Sequence, residues 1–275
     1  MKKTLPIDYN FLLPDIPPNL KRLGIEKDGG YIVNEDIIIK SSTLITFGMG
    51  NEFSFEKDFL DMNKNKNVFI YDFSVGHKHY IREFFKNIRR LFKFKRNITD
   101  LIKWLKDYYN FTKFTSNKNV FFFSRKICNK KNITNDITLQ EIFENQNLVN
   151  KDKIILKIDI EGTEYNIIED VLKYHNRIGH LIMEYHDLHI RKEEFFDNIK
   201  KIKKYFLLNH LHANNYNKIN TDGFPINIEV TFTNKKYQTT SNKKIYSYPR
   251  KELDFPNNPK LPDIEINFEN SNEPL

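Results

Sequence analysis

The feature that most constrains this chain is an alternation of short apolar runs with segments whose apolar residues recur at helical spacing. The runs have the length and the β-branched and aromatic content of buried strands. They are Leu44–Phe47, Asn67–Asp72, Val120–Phe123, Lys153–Ile160, Ile178–Glu184, Phe206–His212 and Asn227–Asn234. Helical spacing appears between them in Glu164–Asn176 and Lys192–Tyr205. This alternation predicts an α/β fold with a mostly parallel central sheet and helices on both faces.

The length of 275 residues, of which 39% are hydrophobic, is sufficient for one large domain with a core. We expect a single domain over residues 1–275 that ends in an extended strap over 247–275, because its prolines disfavour helix and central strand. Cys128 is the only cysteine, which excludes an internal disulfide and a thiolate zinc cluster. No segment has the apolar character of a signal peptide or a membrane span, so the expected location is the cytoplasm.

The net charge of +8 is concentrated in one block. Residues His77–Lys131 contain 16 Lys or Arg and 3 acids, a net of +13, which leaves −5 for the remainder. Apolar residues such as Tyr80, Phe84 and Trp104 recur at helical spacing among these cations, which predicts one or two amphipathic helices in an insertion over 77–118. Three interpretations stay open: a solvated basic face, a cover over an anionic acceptor, and a surface for an anionic membrane. A nucleic-acid partner is not expected, because no recognition module is present.

The residues directly after the strand-like runs are candidate site residues, because ligands of such sheets lie outside the carboxyl ends of the strands. Two glycines after the first run permit a tight turn and close approach of the backbone to a ligand. Asp72 follows about twenty residues later, where a nucleoside-binding βαβ unit has its ribose-binding acid. The expected cofactor-binding residues are Gly48, Met49, Gly50, Asn51, Asp72 and Phe73.

Three carboxylates follow the fourth run within six residues: Asp159, Glu161 and Glu164. Acids at the end of a buried strand are costly to desolvate unless cations or hydrogen-bond donors meet them. The cluster therefore indicates a functional site, although Glu164 alone is also explained by its position at the start of the next helix.

These segments resemble the FkbM family of S-adenosylmethionine-dependent O-methyltransferases. The resemblance rests on LKIDIEGTEYNIIEDVL, TFGMGNEFSFEKDF, YDFS, HLIMEYHDLH, GFPINIEVTF and the tail YPRKELDFPNNPKLPDI. The resemblance covers most of residues 22–262 except the basic insertion. This chain departs from many methyltransferases in two ways: its turn has two glycines rather than three, and Thr46 stands where an acid usually precedes the turn. It implies a Rossmann-like class I methyltransferase fold that binds S-adenosylmethionine.

Removing a proton from an acceptor hydroxyl requires a base or a metal. We expect Asp159, His186 and His212, at the ends of three strands, to converge as catalytic residues and as ligands of a divalent ion. This arrangement resembles the metal-dependent catechol O-methyltransferase class, and Mn²⁺ or Mg²⁺ is the expected ion. Without a metal, His186 or His212 is the expected general base. A third interpretation is that these histidines are only hydrogen-bonded in a polar cleft. The expected substrate-binding residues are Glu161, His210, Asn214 and Tyr31.

The predicted function is O-methylation of a small acceptor in bacterial surface-glycan (capsule) assembly, because the resemblance implies sugars and similar hydroxylated acceptors. The basic block favours a phosphorylated acceptor, so the methylated atom is a sugar hydroxyl or a phosphoryl or phosphoramidate oxygen. The alternative is a non-catalytic peripheral module that docks on anionic membrane through its basic helices. A nucleotide-sugar oxidoreductase is a further alternative that the incomplete glycine pattern disfavours.

Overall fold

The computed structural model describes residues 4–92, 98–220, 222–238 and 244–270. A seven-stranded sheet forms its centre, in the spatial order 3-2-1-4-5-7-6. All neighbouring pairs are parallel except those of the seventh strand, which runs antiparallel to the fifth and sixth. The strands are β1 (Thr43–Phe47), β2 (Asn67–Tyr71), β3 (Val120–Phe123), β4 (Ile154–Ile158), β5 (Ile178–Tyr185), β6 (Phe206–Ala213) and β7 (Ile228–Asn234).

Helices follow or precede the strands as the periodicity predicts. The helix predicted over Glu164–Asn176 is a 3₁₀ turn, Glu164–Ile167, continued by a short α-helix. The α-helices are α1 (Glu35–Lys40), α2 (Ser54–Met62), α3 (His77–Phe92), α4 (Ile98–Thr115), α5 (Leu139–Asn145), α6 (Ile168–Lys173) and α7 (Leu188–Ile202), and a further 3₁₀ helix spans Ile7–Leu12.

Strand alternation divides the core into one apolar layer on each face of the sheet. In β4, Ile154, Leu156 and Ile158 pack on one face with α5, α6 and α7. Ile155 packs on the other face with α1, α2 and α4. Because both faces are covered, the parallel strands read as continuous apolar runs, and all residues of β4 and β5 are buried.

The strand order and the antiparallel β7 are those of the class I methyltransferase fold, a doubly wound relative of the Rossmann fold. The predicted fold class is therefore confirmed. In this order β1 and β4 lie side by side at the point where the chain direction across the sheet reverses. Their carboxyl ends define the position at which such sheets bind ligands.

Two helices, α3 and α4, form the connection between β2 and β3, where the basic amphipathic segment predicts helices. They pack on each other through aromatic rings, with the ring centroids of Phe84 and Trp104 5.0 Å apart. Phe111 joins them to β3, because its ring centroid is 5.3 Å from that of Phe122. Residues 93–97 of the predicted basic block and 271–275 of the predicted strap lie outside the described residues.

Short strands outside the central sheet hold the two ends of the chain. Leu20–Leu23 pairs with Tyr31–Asn34 as an antiparallel hairpin. Ile266–Phe268 pairs with Ser247–Tyr248 and with Thr4–Leu5, which fastens the C-terminal segment beside the N-terminus. Two further short strands, Lys126–Ile127 and Asp136–Ile137, pair in parallel.

Within the described part of the chain, no helix combines the length and the apolar character that crossing a bilayer requires.

Candidate functional site

A cavity of about 230 Å³ lies at the carboxyl ends of β1, β2 and β4. Its walls include the sequence-predicted residues Gly48, Asp72, Phe73, Asp159 and Glu161, together with Ile127, Ile160 and Thr163. Larger grooves, of about 570 and 610 Å³, lie between α2 and α4 and between α3 and α4. Those grooves contain neither of the two acid-rich clusters described below. The smaller cavity is therefore the candidate cofactor site.

The glycine turn after β1 has the backbone geometry that the sequence predicts. Gly48 and Gly50 have φ values of +72° and +64°. A Cβ on Gly48 would lie 1.6 Å from the carbonyl oxygen of Asp159, so only glycine lets the ends of β1 and β4 meet here. A Cβ on Gly50 would meet nothing within 4 Å. Gly50 therefore faces open space on its Cβ side, but it is not among the residues that line the cavity.

Asp72 holds this turn in place. One of its carboxylate oxygens accepts hydrogen bonds from the backbone N–H groups of Met49 and Gly50, both at 2.8 Å. The other accepts from the backbone N–H and the hydroxyl of Ser74, both at 2.7 Å. Phe73 is 60% exposed and lines the cavity. The predicted pairing of a glycine turn with a strand-end acid is thus a direct contact, while a ribose-binding role for Asp72 stays a prediction.

The other two predicted cofactor residues, Met49 and Asn51, are not among the residues that line the cavity. Met49 is buried in the core and offers its backbone to the turn. The side-chain oxygen of Asn51 accepts a hydrogen bond of 3.1 Å from the hydroxyl of Tyr80 in α3. The turn is therefore tied both to β2 and to the first helix of the basic insertion.

A cluster of Asp159, Glu184 and His186 lies beside the cavity. Nε2 of His186 is 3.8 Å from an oxygen of Asp159 and 3.7 Å from an oxygen of Glu184. One ligand atom from each of the three residues lies within 4.8 Å of the other two. Asp159 belongs to both the cavity and this cluster.

Glu164 orients the His186 ring. Its fully buried carboxylate accepts hydrogen bonds from the backbone N–H of His186 at 2.7 Å and from Nδ1 at 3.1 Å. With Nδ1 engaged in this way, Nε2 faces Asp159 and Glu184. Burial lowers the pKa of His186, but the hydrogen bond to Glu164 and the neighbouring carboxylates raise it to about 10. Glu164 therefore positions His186 and is more than a helix-start acid.

The carboxylates of the cluster repel one another in a buried setting. Burial raises the pKa of Asp159 to about 6, although Lys157 and His186 oppose the rise. Burial and the charge of Asp159 raise the pKa of Glu184 well above its ordinary value. Two carboxylates and one imidazole, each with a hydrogen-bonded partner behind it, form a donor set that suits Mn²⁺ or Mg²⁺. These residues fit a divalent cation, whose charge would offset the repulsion.

The structure does not bring His212 to this cluster. His212 lies on β6, and β7 separates β6 from β5. Its Nδ1 is 3.3 Å from Glu229 and its Nε2 is 3.1 Å from Asp263, so both ring nitrogens are engaged. The expected convergence of Asp159, His186 and His212 is wrong in its third member, because the antiparallel β7 enters the sheet between the two histidine-bearing strands.

Three of the four residues expected to bind substrate border the cluster. The hydroxyl of Tyr31 donates to Asp159 at 3.1 Å, and the amide of Asn214 donates to Glu184 at 2.8 Å. Glu161 has an exposed side chain whose carboxylate is 3.5 Å from Nε2 of His186. His210 differs: it is buried and pairs with Asp254 at 3.1 Å. His210 therefore holds the C-terminal segment and does not border the cluster.

Sequence reasoning missed part of this site. Glu229 and Asp28 form a second acid-rich group with Glu184, and Asn257 donates to Glu229 at 2.6 Å. A signal for Glu229 was available, because β7 alternates polar with apolar residues and Glu229 is among its buried polar ones. Asn257 carried no such signal, since it lies in the irregular C-terminal segment.

Thr46, which stands where an acid was expected, has a buried acid as its partner. Its hydroxyl donates to Glu56 of α2 at 2.9 Å. Glu56 is fully buried and lies 3.4 Å from the ammonium of Lys157, which is itself 2% exposed. A carboxylate from α2 thus lies beneath the turn, and a charged pair links β4 to α2.

Known proteins are only distantly similar to this chain. No family model matches the chain, and no curated protein matches it. A solved fibrillarin/Nop5p complex is similar at 9% identity over 70% of this chain and 73% of that chain, with a TM-score of 0.39. The fibrillarin pre-rRNA processing protein of Methanococcus jannaschii is similar at 10% identity over 72% and 68%, with a TM-score of 0.37.

A putative rRNA-methylase from Clostridium thermocellum is similar at 11% identity over 72% of this chain and 94% of that chain, also with a TM-score of 0.37. TM-scores this low carry no argument about fold or function. The class I methyltransferase fold therefore rests on the strand order and the antiparallel β7. Membership of the FkbM family stays a resemblance.

Proposed function

We propose that the protein is an S-adenosylmethionine-dependent O-methyltransferase whose acceptor is activated at a divalent metal site. One observation carries the proposal: Asp159 lines the candidate cofactor cavity and belongs to the cluster with Glu184 and His186. A methyl donor in the cavity and an acceptor oxygen at the cluster would therefore be neighbours. Proximity of that kind is the main requirement for a transfer in which the cofactor supplies its own leaving group.

The cavity residues suit the cofactor. Gly48 lines the cavity and would let the backbone approach the methionine part, and the acids Asp72 and Asp159, which share the lining with Arg125 and Lys126, would favour the positive sulfonium centre. Phe73 and Ile127 present apolar surface on which an adenine ring would pack. If Asp72 also binds the ribose, it would exchange some of its present backbone hydrogen bonds for ribose hydroxyls.

In the proposed reaction the acceptor oxygen attacks the sulfonium methyl group. The C–S bond breaks as the C–O bond forms, the thioether product is S-adenosylhomocysteine, and the hydroxyl proton passes to a base. When no cation is bound, Asp159 is placed to take this proton, because it borders both the cavity and the cluster. Glu164 keeps the His186 ring fixed, and Tyr31 fixes Asp159 by its hydrogen bond. When bound, a divalent cation at Asp159, Glu184 and His186 supplies Lewis-acid stabilisation of negative charge on the acceptor.

We propose further that the acceptor is a sugar hydroxyl of a surface-glycan precursor, such as a capsule precursor. Carboxylates and amides around the cluster, including Glu229, Asn214 and Asn257, offer hydrogen bonds of the kind that sugar hydroxyls accept and donate. A phosphoryl acceptor is less favoured at the cluster, because the cluster is acidic, although two cations of the basic block, Arg125 and Lys126, line the neighbouring cavity.

Calorimetric titration tests both halves of the proposal. Wild-type protein stripped with chelator should bind S-adenosylhomocysteine and, in a separate titration, one Mn²⁺. Asp159→Ala should lose Mn²⁺ binding, whereas Glu193→Ala, which removes an exposed carboxylate from α7, should bind both ligands as the wild type does. Absence of S-adenosylhomocysteine binding would reject the methyltransferase assignment. Binding of S-adenosylhomocysteine without Mn²⁺ would reject the metal-assisted form alone.

A further inference from the structure

The outward face of α3 and α4 exposes a row of apolar side chains. On α4 these are Ile98, Ile102, Leu105 and Tyr109, spaced at i, i+4, i+7 and i+11 and between 49% and 64% exposed. On α3, Ile81 is 50% exposed and Phe85 is 64% exposed, four residues apart. Such spacings place each set along one side of its helix. We call these six residues the apolar stripe.

The apolar stripe is not the surface that attaches these helices to the domain. That attachment uses other positions, namely Tyr80, Trp104, Tyr108 and Phe111, whose rings contact one another, and Phe111 also meets Phe122 of β3 edge to face. Both helices therefore have a second apolar side. In the described residues that second side remains exposed to solvent.

Cations flank the apolar stripe at regular positions. Four of its six residues are followed directly by Lys or Arg: these pairs are Ile81–Arg82, Phe85–Lys86, Ile102–Lys103 and Leu105–Lys106. Adjacent residues on an α-helix are about 100° apart, so each cation lies beside its apolar neighbour. The two helices together contain eight Lys or Arg and three acids. The result is an apolar stripe bordered by positive charge.

We infer that this surface docks the protein on an anionic phospholipid bilayer. The apolar stripe would enter the boundary between headgroups and acyl chains, and the flanking cations would lie among the lipid phosphates, as in interfacial amphipathic helices. Charge complementarity selects the anionic surface. The aliphatic residues select a bilayer over RNA, because Ile98, Ile102 and Leu105 offer RNA neither hydrogen bonds nor stacking. The inference does not depend on methyl transfer.

Vesicle co-sedimentation of the full chain tests the inference. The protein should pellet with phosphatidylcholine vesicles that contain phosphatidylglycerol, should pellet much less with pure phosphatidylcholine, and should be released by high salt. Failure to pellet with the anionic vesicles overturns the inference. Equal pelleting with both lipids overturns it, as does binding of an RNA duplex in place of vesicles.

Matched variants separate the surface from general charge and hydrophobicity. Combining Arg82→Gln, Lys103→Gln and Lys106→Gln should lower the partition coefficient roughly 100-fold, since each surface cation near an anionic leaflet contributes about 1 kcal/mol. The same three-charge change made at Lys40, Lys151 and Lys251, which are exposed elsewhere, should change it less than about threefold. An equal loss in both triple variants would contradict a defined surface.

The apolar contribution has its own pair of variants. Ile102→Ser with Leu105→Ser should weaken vesicle binding at least about tenfold, and Ile133→Ser with Ile190→Ser, at exposed sites elsewhere, should not. Unchanged thermal unfolding of each variant establishes that the fold is intact. Binding of S-adenosylhomocysteine, measured on the same samples, reports on the proposed enzyme function separately, so failure of one proposal is distinguishable from failure of the other.

Discussion

His186 and His212 are both buried at the carboxyl edge of the sheet. Carboxylates raise the pKa of both, but the ring nitrogens of the two histidines have different neighbours. His186 and His212 both have a pKa raised to about 10 by neighbouring carboxylates, against the lowering effect of burial. Nε2 of His186 lies 3.5 to 3.8 Å from three carboxylates and next to a cavity. Both nitrogens of His212 are within 3.3 Å of a carboxylate oxygen. The first arrangement leaves a ring nitrogen for a ligand, and the second is a closed ion pair.

The comparison shows that a shifted pKa alone does not distinguish a binding site from a structural tie. The two kinds of site are distinguished by whether the second ring nitrogen is already engaged by a carboxylate. Asp263, which closes the His212 pair, comes from the C-terminal segment, so His212 fastens that segment to β6. We therefore expect changes at His186 to affect ligand binding and changes at His212 to affect stability.

The largest effect is expected from removing a ligand of the His186 cluster. Asp159→Asn and His186→Ala should each weaken Mn²⁺ binding by more than about 100-fold, because each removes one of the three proposed protein ligands. A calorimetric or electron paramagnetic resonance titration with Mn²⁺ measures this. His212→Gln serves as the comparison and should bind Mn²⁺ nearly as the wild type does. If His212→Gln loses Mn²⁺ while His186→Ala retains it, the assignment of the two histidines is reversed.

The next effect concerns stability at His212. His212→Gln leaves Glu229 and Asp263 without their cation and should lower the free energy of unfolding by about 3–5 kcal/mol, as for breaking a buried pair. Because the pKa is raised from 6.5 to about 10 in the folded protein, the stabilisation is complete below pH 6.5 and is lost as the pH rises through 10. Urea unfolding at several pH values measures this difference.

The matched control is His189→Gln, which changes an exposed histidine at the start of α7. It should alter the free energy of unfolding by less than about 0.5 kcal/mol. A stability difference at His212 that does not shrink between neutral and alkaline pH would show that packing, and not the ion pair, accounts for the loss.

A smaller effect is expected at Glu164, which contacts Nδ1 of His186, on the side of the ring away from the cluster. Glu164→Gln should keep the shape of the side chain but weaken Mn²⁺ binding by about 10- to 100-fold. A loss of this size is usual when a carboxylate that orients a metal ligand is removed. Glu169→Gln, an exposed acid of α6 that pairs with Lys201, is the control and should leave the affinity unchanged. Equal Mn²⁺ affinity in both variants would remove the positioning role assigned to Glu164.

The smallest predicted effect is at Tyr31. Tyr31→Phe removes the hydrogen bond to Asp159 and should change Mn²⁺ affinity by less than about tenfold, consistent with one hydrogen bond to a charged group. Tyr216→Phe, at an exposed tyrosine, is the control. A loss at Tyr31 as large as that at Asp159 would indicate that Tyr31 is itself part of the metal site.

The fold could be predicted from the sequence because both faces of the sheet are covered. Parallel strands buried on both sides appear as apolar runs, and β4, predicted over Lys153–Ile160, spans Ile154–Ile158. The position of β7 could not be predicted from periodicity, because a strand's neighbours depend on how the chain returns to the sheet. That one unknown accounts for the error at His212.

The site was predictable where its residues follow a strand directly, as Asp72, Asp159 and His186 do. It was not predictable where partners come from distant segments: Glu56 of α2 contacts Thr46, and Asn257 of the C-terminal segment contacts Glu229. Glu164 was visible in the motif, but its role depends on the direction of its side chain toward His186. Contacts of this kind follow from three-dimensional packing and have no local pattern.

The candidate cofactor cavity and the proposed metal cluster share Asp159 and are therefore adjacent. Proton relaxation of bound S-adenosylhomocysteine, measured with Mn²⁺ and with diamagnetic Mg²⁺ as the reference, tests this adjacency most directly. The account predicts strong Mn²⁺-dependent relaxation of the protons flanking the thioether sulfur, lost in Asp159→Asn. S-adenosylhomocysteine that binds together with Mn²⁺ but shows no paramagnetic effect would contradict the claim.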